Sequence, residues 1–137
     1  MTTRLRNQKG AALLETAITL PLILLVSVGI FEFGRAYQAQ QVLTNAAREG
    51  ARIAVLPGYT DAQVTTVVRT YLTDGGLTAV DPAILRNVAV GPATASRVTI
   101  SDPFSFMVLN PVARLVRPST SLGGALTMQA SALMRNE

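Results

Sequence analysis

The residues of this chain that could take part in chemistry lie together near its start. Arg4, Arg6 and Lys9 precede a small-residue junction, Gly10-Ala11-Ala12, and Glu15 is the last charge before an uncharged run from Thr16 to Phe31. Two kinds of chemistry fit. One is hydrolysis of the Gly10–Ala11 peptide bond, with the chain as substrate of a membrane protease: the cations hold residues 1–9 out of hydrocarbon while Leu13 onward enters it. The other is charge pairing. A chain cut after Gly10 would begin with an amine at Ala11, one helical turn from Glu15 and on the same face. That amine and carboxylate could neutralise each other within one chain or between neighbouring chains.

Glu15 separates this reading from plainer ones. A carboxylate in hydrocarbon costs about 2.5–3.5 kcal/mol even on the most forgiving insertion scale, so it marks a functional site by default. The plain alternative is a glutamate shallow enough to reach the head groups. From Leu13 to Phe31 only Glu15, Thr16, Thr19 and Ser27 are polar, and about 20 apolar residues cross a bilayer as a helix. A secretory signal peptide shares the charged and apolar regions. It fits less well, because Glu15 interrupts the apolar region and no small-x-small site follows Ile30 before Glu32 and Arg35. An ordinary single-pass anchor also fits. Basic residues before the span put the N-terminus in the cytoplasm and the remainder across the membrane.

One long helix must position these groups. Beyond Phe33 no breaker occurs before Pro57, and a helix from Ala11 to Leu56 would be about 69 Å long against a hydrocarbon core of about 30 Å, so roughly half projects. Pro21 predicts a kink or local melting, having no N–H and clashing with the carbonyl of Ala17. In the projecting half Ala36, Ala39, Leu43, Ala46, Ala47, Gly50, Ile53 and Ala54 share a face, and Ala46, Gly50 and Ala54 repeat a small residue every fourth position. That repeat admits another backbone closely, either from a neighbouring helix or from the chain's own domain. Glu49 and Arg52 pair at i,i+3 on the opposite side.

Beyond Pro57-Gly58, Thr60 and Gln63 predict a capping box. Val64, Val67, Val68, Tyr71 and Leu72 form the stripe of a short amphipathic helix ending at Asp74-Gly75-Gly76. Strands are predicted at Asn87–Val90, Arg97–Ser101 and Leu126–Met134, the last with Leu126, Met128, Ala130, Ala132 and Met134 on one face. Phe104 and Phe106 read as core anchors of a loop, and Asn110 to Gly124 as a long surface connection. Asp61, Asp74, Asp81 and Asp102 fall at apparent caps and turns, the last two each before a proline.

The stretch from Lys9 to Pro57 resembles the N-terminal signature of the TadE-like pseudopilins of tight-adherence (Flp-type) pilus systems. The resemblance rests on Gly10 and Glu15, on Leu20-Pro21, on the run EFGRAY from Glu32 to Tyr37 and on NAAREGAR from Asn45 to Arg52. It reappears in ASALMRNE, from Ala130 to Glu137. Ala11 stands where many pilins carry an aromatic or methionine, and Thr16 where many Flp-type proteins carry an aromatic. The resemblance implies a pilin-like α+β fold, with a long N-terminal helix, membrane-spanning in its first half, packed with a short helix and a small antiparallel sheet. It implies cleavage between Gly10 and Ala11 by a prepilin peptidase, pairing of Glu15 with a freed N-terminus, and a part in assembling or regulating an adhesive fibre as a minor pilin or pseudopilin. Other pilin or pseudopilin subunits and an inner-membrane assembly platform are the implied partners. The expected organisation is a cytoplasmic leader over 1–10, a transmembrane half over 11–33, a projecting half over 34–56 and a periplasmic α/β domain over 57–137. A single-pass scaffold that never enters a fibre, and a type II secretion pseudopilin, remain as alternatives.

Composition agrees with one small unit and excludes several classes. With 137 residues, about 100 remain beyond leader and span, enough for one modest domain. Of the twelve basic residues Arg4, Arg6 and Lys9 belong to the leader, and the nine left against eight acidic ones give +1. No nucleic-acid or anionic-surface footprint is expected at that charge. Having neither cysteine nor histidine, the chain has no disulfide, thiol nucleophile, imidazole base or Cys/His zinc site. Gly75-Gly76 and Gly123-Gly124 lack the setting of a phosphate loop. No catalytic residue, cofactor, metal or small-molecule substrate is expected. A cysteine-free chain also allows single-cysteine labelling, for which Thr2 and Ser96 suggest themselves as probes of the two sides.

Overall fold

Helix-forming residues run from the junction at Gly10 to Pro57 with Pro21 as the one proline among them, and the first element follows them. The computed structural model describes residues 8–111 and 126–136, with side chains from Gly10 onward. Helix α1 spans Gln8–Ala54. It continues through Pro21 as helix on both sides, so the local melting that proline could cause does not occur. It ends three residues before Pro57, whose ring disfavours helical geometry at Leu56. The last turn tightens there, Leu56 N–H donating to the Ile53 carbonyl at 3.1 Å.

Helix α2, Asp61–Asp74, begins at the predicted capping box: the Gln63 N–H reaches the Thr60 side chain at 3.4 Å, and the Thr60 N–H reaches Gln63 Oε1 at 2.9 Å. It stops in a Schellman turn. Gly76, at φ 77°, donates to the Thr73 carbonyl, Leu77 donates to that of Leu72, and the Leu77 side chain returns to the core. Val64, Val68 and Leu72 are buried, whereas Tyr71, predicted on the same stripe, is exposed.

Strands β1 (Ala83–Val90), β2 (Ala93–Phe104) and β3 (Leu126–Arg135) form one antiparallel sheet in the order β1-β2-β3. Gly91 and Pro92 make the two-residue turn between Val90 and Ala93. A bulge between Leu85 and Val88, with Asn87 at φ 57°, interrupts the first pairing. One face of β2, carrying Ser96, Val98, Ile100, Asp102 and Phe104, is buried. Its core members meet Leu43, Ala46, Ala47, Ala51 and Ala54 of α1 and the buried stripe of α2. The fold is α+β, a long N-terminal apolar helix with a short helix and a three-stranded sheet, consistent with a pilin-like arrangement.

Several expectations change in detail. The first two strands start earlier than predicted, at Ala83 and Ala93, and the second reaches Phe104. Asp102-Pro103 is therefore not a turn but part of β2, paired with Met128 and Thr127. Phe104 closes that strand as a buried residue, and Phe106 is half-buried beyond it. Ser96 is buried, its hydroxyl donating to Asn136 Oδ1 at 2.9 Å, so it cannot serve as a surface probe. Most of the predicted connection from Asn110 to Gly124 lies outside the described residues.

Candidate functional site

The structure separates α1 into two lengths of opposite character. The apolar window of its first half is long enough to cross a membrane and 0% buried by the rest of the chain. The hydroxyls in this half turn inward on the helix: Thr16 donates to the Ala12 carbonyl, Thr19 to that of Glu15 and Ser27 to that of Ile23, each at 2.9 Å. Such back-bonding leaves no free hydroxyl donor facing lipid. Gly10, Ala11 and Glu15 all lie exposed on this half. Among the described residues the Glu15 carboxylate has no hydrogen-bond or ion-pair partner.

The small-residue face lies in the second half, where the chain's own domain covers it. Ala46 and Ala54 belong to the core, and a Cβ built on Gly50 would stand 2.6 Å from Val68 Cγ2 and 3.2 Å from Val98 Cγ1. Gly50 therefore sits where side chains of both α2 and β2 approach α1 closely. On the outer side Arg52 and Glu49 pair at 2.6 Å. The hydrogen bond from Arg52 holds the Glu49 carboxyl below its ordinary value, although an exposed pair of this kind adds little stability.

Between the two halves sits a polar clamp that the sequence alone did not single out. Glu32 is completely buried. Its Oε1 accepts the Val108 N–H at 3.0 Å, its Oε2 accepts the Met107 N–H at 3.0 Å, and Arg35 Nη1 approaches Oε2 at 3.3 Å. A buried carboxylate is tolerable only when paired and hydrogen-bonded in this way. Arg35 also lies over the Phe104 ring, 5.4 Å from its centroid, and Phe106 packs edge-on against both Phe104 and Phe33. Glu32, Phe33 and Arg35 all belong to the EFGRAY run, which thus builds the junction between bare helix and folded domain. A local signal existed: Glu32 is the first charge after the apolar run, with a cation at i+3.

Residues 10–52 match the family described as TadE-like protein. This part of the chain is TadE-like. The matched segment contains the junction at Gly10, Glu15, the Glu32 clamp and most of the small face. No curated protein and no solved structure matches the chain. The match supports association with a tight-adherence pilus system and its membrane components, and the apolar α1 fits a single-pass, membrane-anchored protein.

A second set of contacts ties the far end of the TadE-like helix to the domain. Arg86 of β1 donates to the Ala54 carbonyl at 2.7 Å, to the Tyr59 carbonyl at 3.0 Å and to Asp61 Oδ1 at 2.6 Å. It satisfies an orphan carbonyl at the end of α1 and favours that negative end of the helix dipole. Asp61, predicted as a capping acid, thus holds Arg86 at the start of α2, and Asp81 pairs with Arg69 at 3.0 Å. Near the chain's end Asn136 donates to Thr94 Oγ1 and to Asn87 Oδ1. Asp102 is different: it is buried on β2, and its Oδ1 has no hydrogen-bond partner among the described residues. Desolvation raises its pKa above the ordinary value. Among the described residues no group of His, Cys, Asp and Glu is placed to hold a metal ion.

Proposed function

We propose that the chain is a minor pilin or pseudopilin of a tight-adherence pilus system. It is held in the inner membrane by residues 11–33 of α1, with the leader 1–10 in the cytoplasm and the domain 57–137 in the periplasm. A prepilin peptidase cuts between Gly10 and Ala11. The freed amine of Ala11 then pairs with Glu15 of a neighbouring subunit as the helix enters the fibre, and a bend at Pro21 adjusts the helix to its neighbours. The observation that carries this reading is the coincidence of the TadE-like match with an exposed Glu15 on a bare apolar helix. The chain's partners in this reading are the peptidase, other pilin or pseudopilin subunits, the assembly platform and the membrane, and it acts as a structural subunit without a reaction of its own.

One experiment separates this from a single-pass scaffold that stays in the membrane. Protein recovered from cells containing the peptidase should begin at Ala11. A Glu15→Leu variant should still be cut but remain in the membrane fraction, because a desolvated amine without its counter-charge is costly. Recovery of only the chain beginning at Met1 would favour the scaffold, and normal fibre incorporation of Glu15→Leu would remove the pairing.

A further inference from the structure

Beyond the end of β2 the chain does not stay with the sheet but turns back along α1 past Glu32. Val108 and Leu109 face Pro21, Leu24, Leu25 and Val28 across a groove of about 290 Å³. Those helix positions lie between about 6 and 16 Å beyond Glu32 along the helix, at 1.5 Å per residue. They are part of the apolar run that fits a membrane span. Val28 and Gly29 are half-buried, unlike the fully exposed helix before them.

From Phe104 to Pro111 there is no charged residue, and Met107 is 66% exposed, to a degree shared by Phe31, Phe33 and Tyr37 of α1. Backbone outside a helix is normally excluded from hydrocarbon by its unsatisfied N–H groups. Here Glu32 accepts the N–H groups of Met107 and Val108.

We propose that residues 104–111 are a second lipid contact of this chain, inserted into the bilayer leaflet on the side of the folded domain. Glu32 acts as the buried clamp that lets this backbone lie at lipid depth, and an acyl chain of that leaflet fills the groove against Pro21, Leu24, Leu25 and Val28. The occupant is lipid rather than protein because the groove is continuous with the helix surface that spans the membrane. The domain would thus be held at a fixed height and orientation over the bilayer instead of turning freely on a stalk. This rests on α1 crossing the membrane and is independent of any place in a fibre.

The test uses the unassembled full-length chain in phosphatidylcholine vesicles, with an environment-sensitive fluorophore on single cysteines and a spin-labelled lipid as quencher. Met107→Cys should be quenched several-fold more than Leu85→Cys, an exposed position on the sheet, and should approach Ile23→Cys in the apolar helix. Quenching at Met107 no greater than at Leu85, with Ile23 quenched, would overturn the proposal while leaving the membrane span intact. Absence of quenching at Ile23 would remove the span itself and the proposal with it. Replacing Glu32 by alanine in the Met107→Cys background should lower quenching towards the Leu85 value as the segment withdraws to water. Unchanged quenching in a folded Glu32→Ala variant would refute the clamp.

Discussion

At the scale of single residues, the chain's two telling carboxylates have opposite surroundings. Glu32 is buried and surrounded by donors, whereas Asp102 is buried with an oxygen that none of the described residues reaches. Since desolvation raises the Asp102 pKa, the folded state keeps its proton to higher pH than the unfolded chain does. Asp102 therefore costs nothing below the ordinary carboxylate range, and stability falls as pH rises from there through its raised value. Asp102→Asn should accordingly stabilise the full chain in detergent at pH 7 by on the order of 1 kcal/mol. The gain should vanish near pH 3, as measured by denaturant unfolding at the two pH values. Equal midpoints at pH 7 would mean that the carboxylate is not penalised. Gly10 and Glu15 stand out as candidates in the sequence because charge against hydropathy is a local contrast. Glu32 was not, because its donors at Met107 and Val108 are 75 and 76 positions away.

Among the elements, the helices were readable and the sheet only partly so. A capping box, a glycine stop and a proline break are short-range signals, and α1 and α2 follow them. Strand β1 was found only in its second half, because its pairing is interrupted at Asn87 and its first residues, Ala83, Ile84 and Leu85, are all apolar although their burial alternates. Pro103 suggested a turn. In the structure it lies beyond the last β1 partner, Thr99, where β2 pairs with β3 alone and one of its edges needs no N–H. The small face of α1 suits either a neighbouring helix or the chain's own core, and only tertiary contact distinguishes them. Its packing makes a clear prediction. Gly50→Ala should lower stability by about 1–3 kcal/mol through overpacking against Val68 and Val98, and Gly50→Leu should leave the domain open to protease. A protease-resistant Gly50→Leu domain would mean that α1 and α2 separate without loss of the fold.

As a whole molecule, the chain joins a bare apolar half-helix to a domain whose core includes the other half of the same helix, so the orientation of one sets that of the other. Thr78, exposed in the loop between α2 and β1, replaces the buried Ser96 as a label on the domain. In intact cells with a permeabilised outer envelope, Thr78→Cys should react with a membrane-impermeant maleimide and Thr2→Cys should not. Labelling of Thr2 alone would reverse the topology and remove the pilin reading. The strand order has a consequence for biogenesis. The central strand β2 pairs along its length with β3, from Ala95 with Arg135 to Phe104 with Leu126, so its edge stays open until that late segment has emerged. In the proposed topology such a domain cannot complete its sheet while the chain is still being threaded across the membrane. It would pass as an extended polypeptide and become resistant to backsliding only when the final strand locks.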